Sequence, residues 1–429
     1  MFEKVKTELL SESLKNEFRV SKTCFTRIRK QQFSYILLFM MNLLRKSLSL
    51  EIENFWSFLK FSPSKKFTKS AFVQARMKIK PEVFKHLSQT LVSEFYTDND
   101  VAIKKWKGFR LLAVDGSRIT LPITEELKGL YGETKNQSTT SIVQARCSML
   151  YDMENNYALD GRLAPLKQGE RELALSHLSF CQKGDLLIYD RGYPSYDFIH
   201  QHVTRDLDYL MRVKVSFSQL TIDFEKSKKR SEIVEIFPGK NTKLSDKTYR
   251  KDTPIKLRLI QVELSKGQVE ILMTSLLNAK AYPNTIFKEL YRKRWGVETF
   301  YDELKNKLKV EHFSGYSNQS ILQDFYTALF ISNIQTLIVG EIEDEITIQN
   351  QERKYNYKIN TNLSYGLLKN RILEIFLSEN SMQNTVEQIK KLFLEHQIPI
   401  RPNRSFKRTS GKYRSRIKPK VPKNQKDVL

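Results

Sequence analysis

The chain has 429 residues, 40 % of them apolar, enough for two or three domains with cores of their own. Its 72 lysines and arginines against 48 acids leave a formal charge of +24, which points to a polyanionic partner, nucleic acid first, with a merely basic protein as the bland alternative. Three scattered cysteines, Cys24, Cys147 and Cys181, make neither a disulfide framework nor a zinc cluster and suit a reducing, cytoplasmic interior.

The start, MFEKVKTELL, lacks the apolar stretch of a signal peptide. The greasiest run, Phe33 to Leu44, has 12 residues, too few to cross a bilayer, and reads as a buried helix with no membrane role. Residues 1–104 read as a helical region. Within it Ser62-Pro63 is a break, Thr68 or Ser70 is a helix N-cap, and Lys60 to Lys85 holds eight basic residues and one acid. Helix, short turn and basic helix suit a DNA-reading unit in a major groove, although many helical hairpins look the same.

Residues 105–215 change texture. GFRLLAVDGSRITLP is an apolar strand expected to end at Asp115 with a glycine turn, and strands follow at Ile142–Tyr151 and Tyr157–Leu163. A helix near Glu170–Phe180 leads to DLLIYDRGYPS, a second apolar strand ending at Asp190, then a helix (Tyr196–Thr204) and a strand (Tyr209–Val215). That order predicts a mixed α/β sheet. Residues 216–276 are β-textured and read as an insertion interrupting it. Residues 277–340 hold the helix opened by Pro283-Asn284 and a second long helix over Ile321–Gly340; residues 341–400 are helical. Residues 401–429, with 11 basic residues and one acid, read as a disordered phosphate-binding tail. The six histidines are isolated apart from His200 and His202, whose spacing puts them on different sides of a helix, so a histidine metal site is not expected.

The most informative stretch is YRKRWGVETFYDELK, Tyr291 to Lys305. On a regular helix Tyr291, Glu298 and Lys305 fall two turns apart on one stripe. Arg294 lies one turn before Glu298, and Trp295 and Asp302 flank the stripe. Leu290, Val297, Leu304 and Leu308 gather on another face. Arg294 and Glu298 also satisfy the ordinary i, i+4 pair of an exposed helix. Asp115, Asp190 and Glu298 together offer three carboxylates and no soft ligands, which suits Mg²⁺ or Mn²⁺, two ions being the arrangement used in phosphoryl transfer. An aspartate before glycine is also a common turn former. Asp185, Asp302 and Glu303 are rival acids, Asp302 the most serious.

DGS at Asp115, DRGY at Asp190, and Tyr-x2-Arg-x3-Glu-x6-Lys at Tyr291, Arg294, Glu298 and Lys305 resemble bacterial DDE transposases of the insertion sequence family 4 group. The resemblance spans roughly residues 60–410. It implies a ribonuclease-H-like mixed-sheet core interrupted by a β-rich insertion, with helical N- and C-terminal regions. It further implies Mg²⁺-dependent cleavage at terminal inverted repeats, strand transfer into target double-stranded DNA, and a homodimer on paired ends. Asp115, Asp190 and Glu298 would be the metal-binding catalytic triad, and Tyr291, Arg294, Lys305, Trp295 and Arg191 would contact DNA. Some relatives stack a flipped base on a tryptophan of the insertion. Here Trp56, Trp106 and Trp295 all lie outside it, leaving Phe217, Phe224 or Tyr249 to stack. A metal-dependent nuclease on the same core, or a catalytically silent DNA-binding derivative, are the alternatives.

Overall fold

A computed structural model of the chain describes residues 1–27, 32–59, 66–98, 103–135, 141–239, 242, 254–265, 268–369, 371–377 and 381–401. Internal contacts divide the chain into two compact units. One comprises Val101–Arg118 and Arg146–Tyr301, the other Met1–Asp100, Ile119–Ala145 and Asp302–Leu429. The break at Ser62-Pro63, Tyr249 and nearly all of the basic tail lie outside the described residues.

Strands β1 (Arg110–Leu121), β2 (Glu133–Lys135), β3 (Ser141–Asp152), β4 (Ala158–Pro165), β5 (Asp185–Tyr189), β6 (Asp208–Val213), β7 (Ser231–Ile236), β8 (Ile255–Ser265) and β9 (Gln268–Thr274) form one mixed sheet. Their order is β2-β3-β1-β5-β6-β9-β8-β7, with β4 also on β3. The centre is parallel: β1 pairs β5 from Arg110↔Asp185 to Ala113↔Ile188, and β5 pairs β6. These central strands are buried apolar runs, as parallel strands covered on both faces must be. The sequence marks residues 216–276 as an insertion, yet the strands in it extend the same sheet. β9 runs antiparallel to β6, Val213 opposite Ile271, and β8 and β7 follow in turn. Without β9, the buried strand β6 would leave one edge of backbone groups unpaired. A helix at Gln219–Lys226 was not read from the sequence, although Ser218 and Thr221 form its reciprocal cap.

Two local expectations change. Strand β1 does not end at Asp115: it continues through Gly116 to Leu121, while burial relaxes after Val114. The stretch from Tyr291 is not one regular helix either. Phe287–Lys293 and Trp295–Asp302 are separate α-helices, joined where the Arg294 N–H bonds back three residues to the Tyr291 carbonyl at 3.2 Å. Residues Glu303–Lys307 then form a π turn. The even two-turn spacing of Tyr291, Glu298 and Lys305 therefore does not hold.

In the other unit, the helix Asn318–Gly340 is buried on all sides, with Phe325, Phe330, Ile334 and Ile338 inside, and Glu82–Asp98 packs against it. Thr68 caps Lys69–Arg76 by accepting from the Ala71 N–H at 3.2 Å. Arg76, counted in the basic run, is not available to DNA. It is 2 % exposed and donates to Asp324 at 2.9 Å, Ser314 Oγ at 2.6 Å and Gln323 Oε1 at 2.9 Å. Burial alone would raise the Asp324 carboxyl, but Arg76, Arg45 and the Ser314 donors hold it below its ordinary value. Phe33–Met41 is a buried helix, and among the described residues no single helix is long and apolar enough to cross a membrane.

Candidate active site

The site lies within the unit built from residues 101–118 and 146–301. Parallel pairing sets the first two acids. The offset that puts Arg110 opposite Asp185 and Ala113 opposite Ile188 brings Asp115 level with Asp190 on neighbouring strands, just past the last paired residues. Neighbouring strands are spaced about 4.8 Å apart. Asp190 directly follows β5, at the carboxyl end where parallel sheets present polar residues.

Packing then places the third acid. Phe287, Leu290 and Tyr291 join Leu111, Leu186, Ile188 and Leu210 in one buried cluster, so the first short helix is seated on the sheet. Phe300 stacks on Tyr151 of β3 with ring centroids 4.7 Å apart. The Tyr301 hydroxyl donates to the main-chain carbonyl of Asp115 at 2.8 Å, with the Cys147 carbonyl 3.3 Å away. That hydrogen bond pins the helix carrying Glu298 to the strand carrying Asp115.

Arg294 ties the acids together. Its Nη2 donates to Glu298 Oε1 at 2.7 Å and its Nη1 lies 3.9 Å from Asp115 Oδ2, while the guanidinium sits 5.7 Å over the Tyr291 ring. Only 5 % exposed, it has a buried Nε with no hydrogen-bond partner. Asp190 accepts from the Tyr291 hydroxyl at 3.1 Å and lies 3.9 Å from Arg212, which also pairs bidentately with Glu270 at 3.0 and 2.7 Å. Burial pushes the Asp115 carboxyl up from 3.8 to about 6; Arg294 and the Gly116 N–H oppose the rise, and Glu298 and Asp190 add to it. Among the described residues no group of three or more His, Cys, Asp or Glu is gathered tightly enough to hold a metal ion as it stands. Arg294 is the group interposed between Asp115 and Glu298. The donor set, all carboxylate oxygen, nevertheless fits a hard divalent cation.

The expected DNA contacts divide. Trp295, 51 % exposed, and Arg191 are at the surface. Tyr291, 2 % exposed, is not: it is a core residue that orients Asp190, because its ring belongs to the apolar cluster under the helix. Arg294 is similarly enclosed by the acids. Lys305 is half-buried in the π turn of the other unit. Among the stacking candidates Phe224 is 1 % exposed and unable to receive a base, and Phe217 is partly exposed.

The rival acids have other partners. Asp185 is 1 % exposed and takes two hydrogen bonds of 2.7 Å from Arg110. Asp302 accepts from Asn306 at 2.6 Å, and Glu303 accepts from the Tyr365 hydroxyl. Sequence reasoning missed Arg212 and Tyr301. A charged residue inside the apolar strand YLMRV was the available signal for Arg212; nothing local marks Tyr301. A buried array of Ser148, His177 and Asp160, with links of 3.0 and 2.7 Å, has the hydrogen-bond order of a hydrolase triad. All three are at most 3 % exposed, so no substrate reaches them.

A family model described as "Transposase DDE domain" matches residues 106–334, more than half of the chain and all three acids. Over 250 residues the chain is 23 % identical to the transposase InsG of insertion sequence element IS4 from Escherichia coli (strain K12), covering 56 % of this chain and 53 % of that protein. The chain thus spans about half the length of that curated relative. A solved piggyBac transposase synaptic complex with hairpin DNA aligns over 96 % of this chain and 88 % of its own, at 10 % identity and a TM-score of 0.41, too low to support an argument from fold. With its DDE domain spanning strands and glutamate helix alike, the chain belongs to the transposase DDE domain family.

Proposed function

We propose that the protein cleaves DNA at the ends of a mobile element and joins the freed 3′ ends to target DNA, with Asp115, Asp190 and Glu298 as its catalytic acids. The observation that carries this reading is the level placement of the two aspartates on adjacent parallel strands, with Glu298 linked to Asp115 through Arg294. The strand order β4-β3-β1-β5-β6, with both aspartates near its centre, supports a ribonuclease-H-like core.

In this reading the three carboxylates would hold Mg²⁺ or Mn²⁺, two ions, which would supply Lewis-acid activation of the attacking oxygen and charge stabilisation of the leaving one. The protein's own residues position and neutralise. Tyr291 fixes the Asp190 carboxylate by donating to it. Tyr301 fixes the backbone at Asp115. Arg294 balances the acids and, on release from Glu298, has donors for a backbone phosphate. Arg191 and Trp295 extend the contact along double-stranded DNA; in the other unit, Lys305 and the exposed Lys69, Lys78 and Lys80 offer charges for backbone phosphates. A homodimer on paired ends would bring two such sites to one target, acting inside the bacterial cell.

A strand-transfer assay with pre-cut transposon ends separates transposition from mere cutting. Joined products are expected in Mg²⁺. Cutting without joining would leave the nuclease alternative; neither activity, with DNA still bound, would leave the silent one.

A further inference from the structure

We propose that Glu270 is a positioning residue of this site: it holds the Arg212 guanidinium off Asp190, so that the aspartate keeps a positive neighbour without being closed by it. The inference rests on the reading of Asp190 as a catalytic acid given above. It gives strand β9, in the stretch that the sequence marks as an insertion, a part in the chemistry.

Glu270 breaks the pattern of its own strand. Side chains alternate between the two faces, and Val269 is 50 % exposed while the Glu270 side chain beside it is 23 % exposed. Glu270 lies opposite Val262 on β8, and Leu272 follows two residues on; both belong to the buried cluster with Phe287, Leu290 and Tyr291. An apolar residue would suit that covered position, and a charged one the place of Val269. Departures of this kind from local patterning are characteristic of functional sites. Register supplies the reason. Pairing of β5 with β6, Tyr189 opposite Met211, sets Asp190 level with Arg212, on the face of Ile188 and Leu210. Pairing of β6 with β9 sets Arg212 opposite Leu272, so Glu270 is its diagonal neighbour, within reach of a long side chain.

The guanidinium is divided between two acids. Glu270 takes its Nε and Nη2 edge, at 3.0 and 2.7 Å, which leaves Nη1 3.9 Å from Asp190 Oδ1 and beyond hydrogen-bond range. Tyr291 donates to that same oxygen at 3.1 Å, so both contacts fall on one side of the carboxylate. An arginine with a single carboxylate in reach closes on it through two parallel hydrogen bonds. Without Glu270, Arg212 would close on Asp190 in this way and occupy both of its oxygens.

The crystal structure of E270Q tests the holding directly. Arg212 is expected within about 3 Å of the Asp190 carboxylate. A guanidinium still 3.9 Å away overturns the proposal. Mn²⁺ binding to the full chain without DNA, read from the electron paramagnetic resonance of free Mn²⁺, tests the consequence apart from activity. E270Q should bind about tenfold more weakly than the wild type, the loss expected when a metal ligand's supporting partner is removed. In the R212Q background the same substitution should leave binding unchanged, because the arginine that closes on Asp190 is gone. An equal loss in both backgrounds means that Glu270 acts by its charge alone and overturns the proposal. No loss in either, with D190N weakened, overturns it too. Unchanged binding by D190N instead removes Asp190 as a metal ligand, and the E270Q structure still decides whether Glu270 holds Arg212. Should E270Q fail to fold, E270D is measured in the same two backgrounds, with the same outcomes deciding.

Discussion

Replacing Asp115 by asparagine should stabilise the folded protein at neutral pH while removing its cleavage activity. Burial raises this carboxyl from 3.8 to about 6, Arg294 and the Gly116 N–H opposing, Glu298 and Asp190 assisting. Roughly two pH units at about 1.4 kcal/mol each correspond to about 3 kcal/mol. The folded pKa lies above the unfolded one. The folded state is therefore favoured by the proton below about pH 4, and that advantage disappears as pH rises through about 6. At neutral pH the ionised carboxylate then costs up to about 3 kcal/mol, less whatever solvent screening removes from its exposed fifth. The amide carries no charge to desolvate, and Arg294 keeps Glu298 at 2.7 Å. Urea unfolding followed by tryptophan fluorescence suits the measurement, since Trp106 and Trp295 belong to the same unit as Asp115. The variant should exceed the wild type by about 1–3 kcal/mol near pH 7.5, with the difference shrinking to nothing near pH 4. A variant less stable at pH 7.5, or a difference constant across that range, would refute the assigned burial of a charged acid.

Three further outcomes follow from other contacts. Asp324→Asn leaves Arg76 buried without its counter-charge and should cost about 3–5 kcal/mol in urea unfolding; an unchanged midpoint would deny the pair any structural role. Tyr301→Phe removes the hydroxyl that bonds the Asp115 carbonyl, so stability should fall by about 1 kcal/mol and cleavage by as much as about 100-fold as the Glu298 helix loosens. Equal small losses in both would make Tyr301 merely structural. DNA affinity measured by fluorescence anisotropy should drop steeply with salt, the log–log slope being about −0.9 per phosphate neutralised. A flat dependence would argue against the +24 charge as a phosphate-tracking surface.

Much of the architecture was legible because its signals are local. The runs LLAV and LLIY are continuous apolar stretches of strand, and they pair in parallel in a register that sets Asp115 level with Asp190. Thr68 caps where hydroxyl chemistry puts it. What escaped notice depends on distant partners. No periodicity within residues 216–276 says that β9 will bond β6, since register between separated strands is set by tertiary packing. Tyr291 reads as surface when placed on an ideal helix; the break at Arg294 and the apolar bed of Phe287 and Leu290 put it inside. Arg294 was visible as a helix pair with Glu298, but its approach to Asp115 requires the sheet. The aspartate of DGS lies within a strand that continues beyond it, because Ile119 and Leu121 resume the buried alternation after a half-exposed stretch.

Cleavage of a labelled duplex carrying the element's terminal repeat, in Mg²⁺, by Asp115→Asn, Asp190→Asn and Glu298→Gln, tests the shared role of the three acids most directly. Each variant is expected to bind the duplex as tightly as the wild type and to cut none of it. A wild-type cleavage rate in any one of them would remove that residue from the chemistry and contradict the site described above.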